Sequence, residues 1–261
     1  DGGRLRSTDK RQKREFIVTE DYGINIRHGE LVRAEVVRGK QQGLRRVKIV
    51  ERLGNADGQP NISAITIHES GIPDTFSEDS LADADGAEEA PHEKREDLRN
   101  IPLVTIDGAD PRDFDDAVWA EPDPDVVGGW HIIVAIADVS WYVRPGSPLD
   151  RDARERGNSV YFPDHVVPML PEVLSNGLCS LRPGVNRPCL AAHLWIGPNG
   201  RLTQHTFGRG LMKSTARLTY SEVQAAHDGR LNDKTGPLMK TVIEPLYGAF
   251  ETLLKSRNDR S

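Results

Sequence analysis

Five aspartates fall within ten positions of this chain: Asp107, Asp110, Asp113, Asp115 and Asp116. Carboxylates crowded into one turn repel, and holding them in one cleft costs free energy unless a cation neutralises them. A hard divalent ion such as Mg²⁺ prefers all-oxygen ligands, and two such ions can clamp the attacking and leaving oxygens of a phosphodiester. The segment therefore reads as a metal site for phosphoryl-transfer chemistry. Asp107 ends the apolar run Ile101–Ile106, a buried strand that brings its carboxylate to a sheet edge. Pro111 forbids a regular ladder and lets the chain turn back. In an extended 113–116 segment Asp113 and Asp115 share one face and Asp116 takes the other. Three of the four then converge, and the fourth joins if the backbone bulges. Asp110, in mid-loop, is the weakest candidate.

Two rival readings of the cluster are a solvated acidic turn and a calcium loop. A solvated turn rarely sits tightly between Val104-Thr-Ile106 and Ala117-Val-Trp-Ala120. The EF-hand loop needs Gly at its sixth position and Glu at its twelfth, where this chain has Arg112 and Val118. Asp138, after Val134-Ala-Ile-Ala137, is expected as a turn cap that could also approach the cluster. The eight histidines form no H-x-x-x-H or H-x-H pair, and neither a G-x-S-x-G elbow nor a phosphate-binding glycine loop is present. Arg144, Arg151, Arg154, Arg156, Arg182, Arg187 and Arg217 are candidate phosphate contacts or ordinary surface charges.

The elements that must position these residues fall into three stretches. Residues 1–73 contain alternating segments, Phe16–Val18, Leu31–Val37, Val47–Val50 and Ile62–Ile67, separated by glycines such as Gly23, Gly29, Gly39, Gly43 and Gly54. Short strands with glycine turns predict a small all-β barrel, with Phe16 and Tyr22 as its available stacking rings. Residues 74–97, rich in Asp, Glu and Ala without an apolar period, predict an acidic linker. Residues 98–261 mix strands and helices, a mixed α/β (α+β) domain whose sheet is flanked by helices. Trp130–Val139 is a buried strand, and Leu190–Ile196 pairs with Thr203–Arg209 through the Pro198-Asn-Gly-Arg turn. Thr219-Tyr-Ser-Glu222 has capping-box spacing and opens a helix to His227. Leu238, Val242 and Leu246 mark a second helix, kinked at Pro245.

The net charge is −6, but basic residues concentrate in the first 48 positions and acidic ones in 74–97. A basic lobe beside an acidic tether suits contact with a nucleic-acid backbone. Cys179 and Cys189 form no C-x-x-C pair, which suits a reducing compartment. The longest apolar run, Ile132–Ala137, is far short of the about 20 residues that span a bilayer. No apolar leader follows Asp1-Gly-Gly-Arg4 and no initiator Met is present, so a cytoplasmic fragment is expected.

The cluster Thr-Ile-Asp-Gly-x-Asp-x-Arg-Asp-Phe-Asp-Asp-Ala-Val resembles the catalytic signature of the ribonuclease II/ribonuclease R (RNB) family. The likeness continues through Val134–Val143, Arg156–Pro163, Val167–Leu181 and Ala216–Tyr220, and is strongest to its bacterial ribonuclease R branch. The resemblance implies a 3′→5′ exoribonuclease that processively converts single-stranded RNA to nucleoside 5′-monophosphates with Mg²⁺, for which Mn²⁺ can substitute. It implies that Asp107, Asp113, Asp115 and Asp116 are the catalytic, metal-holding acids. It places Tyr161 where a tyrosine ring stacks on the 3′-terminal nucleotide, against the plain alternative of a core or rim residue. It also implies an OB-type, cold-shock-like barrel at residues 1–73. Family members continue beyond Ser261 with a catalytic arginine, a second stacking aromatic and an S1 domain, which puts activity of this chain alone in question. The expected partners are single-stranded RNA 3′ ends, with no membrane and a monomeric state; any RNA-decay machinery is unspecified. The alternatives are a catalytically impaired RNA-binding regulator on the same fold and a metal-dependent phosphodiesterase for small nucleotides.

Overall fold

A computed structural model describes residues 3–8, 14–20, 26–37, 44–53, 62–109, 113–164 and 166–260. The chain divides into two compact units: Asp1–Thr75 with Asn158–Val167, and Phe76–Gly157 with Pro168–Ser261. Among the described residues no helix is long and apolar enough to cross a membrane.

In the first unit β1 (Arg4–Arg6), β2 (Glu15–Glu20), β3 (Val32–Val36) and β4 (Arg45–Arg52) form one sheet in the order β1–β2–β4–β3. Strands β2 and β4 run parallel, and the other pairs are antiparallel. Val47 and Ile49 are buried at alternate positions of β4, as a half-buried strand requires. Gly29 turns the chain into β3 at φ 89°, which a Cβ would strain. Among the described residues no strand pair closes this sheet into the expected barrel. Tyr22, with Gly23, Gly39, Gly43 and Gly54, lies outside the described residues.

Ile62–Ser70 is a helix, α1, and not the strand that its isoleucines predict. Ser63 and Ile67 are buried four positions apart, one helical turn, and the Ser63 hydroxyl bonds the Asp164 carboxylate. Burial along one helical face has overridden a weak β preference.

The second unit begins with α2 (Glu78–Asp85), inside the stretch predicted as a linker. The Ser77 side chain caps its first turn, Glu78 and Asp79 favour the positive end of the helix, and Ser80 and Ala84 are buried. After it come β5 (Glu96–Asp97), β6 (Val104–Asp107), β7 (Asp116–Pro122), β8 (Trp130–Ala137), α3 (Val139–Tyr142) and α4 (Pro148–Arg156). Ser147 caps α4, Pro148 opens it, and Gly157 ends it at φ 76°. The hairpin β9 (Val160–Tyr161) and β10 (Val166–Val167) belongs to the first unit. The chain then forms a π-helical turn at Val173–Leu178, β11 (Asn186–Ile196), β12 (Leu202–Lys213), β13 (Ala216–Thr219), α5 (Tyr220–His227), α6 (Thr235–Leu238), a second π-helical turn at Met239–Ile243, and α7 (Glu244–Asn258).

Seven strands form the sheet β13–β6–β7–β8–β11–β12–β5, with β13–β6 and β12–β5 parallel and the rest antiparallel. The predicted mixed sheet with flanking helices is therefore present. One core gathers Leu103, Ala117, Ile133, Ala135, Ala191 and Met212 with Ala84 of α2, Leu149 of α4 and Leu174 of the first π turn. A second gathers Val104 and Leu218 with Val223, Leu238, Val242 and Ile243. The Thr219 capping box forms as predicted, with side chain and backbone satisfied on both sides. The predicted helix through Leu238, Val242 and Leu246 is broken into α6, a π turn and α7, with Pro245 in the first turn of α7.

Candidate active site

The carboxylates sit where β6 ends and β7 begins. Asp107 is the last residue of β6 and Asp116 the first of β7, joined by a connection that holds Asp113 and Asp115; its members Asp110, Pro111 and Arg112 lie outside the described residues. The short stretch before β7 is held from both sides. Phe114 donates its N–H to the Ser180 hydroxyl at 3.3 Å and accepts from the Leu181 N–H at 2.8 Å. The Asp115 carbonyl accepts from Ala137 at the end of β8, at 2.9 Å.

The four side chains feel one another. Loss of hydration pushes the Asp107 carboxyl above the usual carboxylate range, Asp116 and Asp113 push it further, and the Arg217 guanidinium partly opposes them. Asp115 is open to solvent by area, yet protein close around its carboxyl raises it by desolvation, with Asp113, Asp116 and Asp107 adding repulsion. The structure thus brings Asp107, Asp113, Asp115 and Asp116 into one electrostatic group. Among the described residues no three His, Cys, Asp or Glu side chains stand as a group that could hold a metal ion. The chemistry of the set nonetheless fits a hard divalent cation: its donors are all oxygen, and their repulsion favours an added positive charge.

Residues 95–261 match the RNB domain. The chain belongs to the RNB family. Ribonuclease R of Escherichia coli (strain K12) is 44% identical to it over 259 residues, covering 97% of this chain and 32% of that protein. A solved Mycoplasma genitalium RNase R in complex with double-stranded RNA matches at 26% identity with a TM-score of 0.81, covering 94% of this chain and 44% of that one. The same enzyme in complex with ribose methylated single-stranded RNA matches at 26% identity with a TM-score of 0.78, covering 99% and 42%. The chain spans about a third of the length of the curated relative.

The RNB match opens at Arg95, whose partner corrects the reading of Asp138. Arg95 Nη2 lies 2.8 Å from the Asp138 carboxylate, both side chains are almost wholly buried, and Ser140 donates to the same carboxylate at 2.8 Å. Asp138 makes no side-chain cap of α3 and serves as a buried anchor between β8 and the Pro91–Asp97 segment. The basic residues considered for phosphate are also engaged by protein. Arg154 pairs with Asp150 at 3.1 Å, Arg151 donates to the Gly146 carbonyl, and Arg182 to that of Asn176. Arg144 and Arg156 lie over the rings of Trp141 and Phe76. Arg187 is turned inward, onto the Ser180 and Gly177 carbonyls. Arg217 lies over the Phe114 ring at 4.8 Å, donates to the Ala109 carbonyl at 2.7 Å and is, among the described residues, a cation that acts on Asp107.

Tyr161 belongs to the first unit and the carboxylates to the second. Tyr161 is 64% exposed on β9, which excludes the core reading and leaves the rim one. One residue that the sequence reading did not single out, Tyr220, lies near Asp107 by strand register. Thr219 is the register partner of Asp107, so Tyr220, next in the chain and exposed, opens α5 at the end of the strand beside that carboxylate. The motif Ala-Arg-Leu-Thr-Tyr held the signal, but only the β13–β6 pairing ties it to Asp107.

Proposed function

We propose that this chain carries the carboxylate half of a 3′→5′ exoribonuclease that degrades single-stranded RNA processively to nucleoside 5′-monophosphates. The observation that carries the reading is the electrostatic group Asp107, Asp113, Asp115 and Asp116, with Asp107 and Asp115 raised in pKa, inside the RNB-matched region. Mg²⁺, or Mn²⁺ in its place, would be held by these four residues and would supply charge for the attacking and leaving phosphodiester oxygens. Asp107 and Asp116 are the fixed members because strands hold their backbones, whereas Asp113 and Asp115 depend on the contacts around Phe114. Arg217 keeps the loop carbonyls of Gly108 and Ala109 occupied and helps keep Asp107 ionised.

Tyr161 is the stacking residue of this reading. An exposed π face holds any base without reading its hydrogen-bond pattern. The sheet of residues 1–73 is an OB-like, cold-shock-type module in the same scheme, presenting Arg33, Arg45 and Arg46 to the RNA backbone. The protein works as a monomer in the cytoplasm, a setting that suits the free, buried thiols Cys179 and Cys189. The Mycoplasma genitalium RNase R complexes with double-stranded RNA and with ribose methylated single-stranded RNA support RNA as the ligand. The deciding experiment is Asp115→Asn in the full-length protein, assayed on single-stranded RNA with Mg²⁺. Loss of cleavage with retained RNA binding is expected, and turnover equal to wild type sinks the assignment.

A further inference from the structure

We infer that Ser180, locked in place by Arg187, is a positioning residue that sets the orientation of Asp113 and Asp115. The inference rests on the reading of the four carboxylates as the catalytic set. Phe114 is the residue between the two aspartates, so the orientation of its peptide groups decides where both side chains point. Its N–H reaches the Ser180 hydroxyl at 3.3 Å, and its C=O receives the Leu181 N–H at 2.8 Å. Ser180 and Leu181 are both 0% exposed, so water does not compete for these bonds. A buried N–H demands an acceptor, and the Ser180 hydroxyl provides one where an alanine would leave none.

Ser180 needs support, because it follows the π-helical turn Val173–Leu178, a weakly held form of helix. Arg187 gives that support. Its Nε donates to the Ser180 carbonyl at 3.0 Å and its Nη2 to the Gly177 carbonyl at 3.2 Å, while Nη1 approaches Glu89 at 3.4 Å. The rigid guanidinium fork thus joins both ends of the Gly177–Ser180 stretch, a geometry one ammonium cannot copy. With its side chain 12% exposed and its donors on these acceptors, Arg187 is committed to the fold and not to phosphate. The path runs from Arg187 to Ser180, from Ser180 to Phe114, and from Phe114 to the two carboxylates.

The test uses the full-length protein with Ser180→Ala, Arg187→Lys and the control Cys189→Ala, a truncation of the same core at a residue that makes none of the hydrogen bonds to Phe114 described above. Hydrogen exchange of the 113–117 amides is measured without metal, Mn²⁺ affinity by electron paramagnetic resonance without RNA, and kcat and KM on single-stranded RNA. Ser180→Ala and Arg187→Lys should speed exchange over 113–117. Both should lower Mn²⁺ affinity and kcat by roughly 10–100-fold, with KM for RNA unchanged. Cys189→Ala should change neither, even at an equal loss of melting temperature. Unchanged exchange in Ser180→Ala overturns the inference, as does a Cys189→Ala protein that loses metal affinity in step with its stability. Should Ser180→Ala fail to fold, Arg187→Lys carries the same comparison. A wild-type protein that binds no Mn²⁺ defeats the catalytic reading instead, and the exchange data still decide the positioning.

Discussion

Asp107 and Asp115 hold their protons more tightly in the folded chain than free aspartates do, chiefly because the fold strips their hydration. The sign of the linkage follows directly. A carboxyl whose folded pKa is raised leaves the folded protein at full stability below the unfolded value, and stability falls as pH rises through the raised one. Metal-free protein should therefore lose stability between the ordinary carboxylate pKa, about 4, and the raised values above it. Asp115→Asn should melt higher than wild type at neutral pH without metal, even as it is expected to abolish cleavage, and this gain should vanish near pH 4. Calorimetry at the two pH values checks it; a variant that melts lower at neutral pH counts against the repulsion. Tyr161→Ala should weaken grip on the terminal nucleotide by about 1–3 kcal/mol, alike for all four bases, while Tyr161→Phe is nearly silent. A longer final product on the gel is the readout, and an unchanged product removes Tyr161 from the RNA path. The aspartates stood out by type and spacing, whereas Tyr161 was singled out only by the family resemblance. Arg187 was not legible, since a lone arginine in sequence reads the same whether it turns to solvent or into the fold.

Helix α7 shows how an element is placed by a single small residue. A Cβ on Gly248 would lie 2.4 Å from the Trp130 ring, and the Trp130 indole donates to Thr252 one turn on, at 3.0 Å. Alanine gains about 1 kcal/mol of helix propensity over glycine, but forcing a methyl into this contact costs about 1–3 kcal/mol. Gly248→Ala should therefore be neutral to destabilising, by up to about 2 kcal/mol, and chemical denaturation of the full-length protein measures it. A clear stabilisation would show that α7 can move off β8. The capped helix α5 was readable from Thr219 and Glu222 because a capping box is a local signal. Helix α2 was missed: its acidic residues suggested a solvated tether, although Ser77 before Glu78-Asp79 is a start signal and Ala84 supplies the buried face. Helix α1 was misread because isoleucine and threonine favour strands in isolation, whereas burial of Ser63 and Ile67 decides the matter.

At the scale of the molecule, a net charge of −6 and a site made of carboxylates leave divalent cations as the natural counter-charge. Mn²⁺ or Mg²⁺ at a hundredfold excess over its dissociation constant should stabilise the full-length protein by about 2.7 kcal/mol, and the increment should shrink in Asp115→Asn. A chelator should abolish cleavage and Mg²⁺ or Mn²⁺ restore it, while Zn²⁺, a borderline-soft ion partial to nitrogen and sulfur, should not. Melting curves with and without chelator are the check, and a wild-type curve indifferent to metal would remove the cation from the site. Long single-stranded RNA should be degraded in preference to dinucleotides; the reverse would favour the small-nucleotide phosphodiesterase. Legible in the chain itself were the crowding of the acids, the β11–β12 hairpin, the α5 cap and, in part, two strands: the one expected at Ile101–Ile106 forms only at Val104–Asp107, and the one expected at Trp130–Val139 stops at Ala137. Each of these is written in neighbouring residues, as spacing, alternation or turn chemistry. Folding in three dimensions was needed to show that Asp138 meets Arg95, that Tyr220 follows the register partner of Asp107, that Tyr161 belongs to the first unit, and that Ser180 bonds Phe114. Those pairings join residues tens of positions apart, and strand order and packing select them in a way that no local period records.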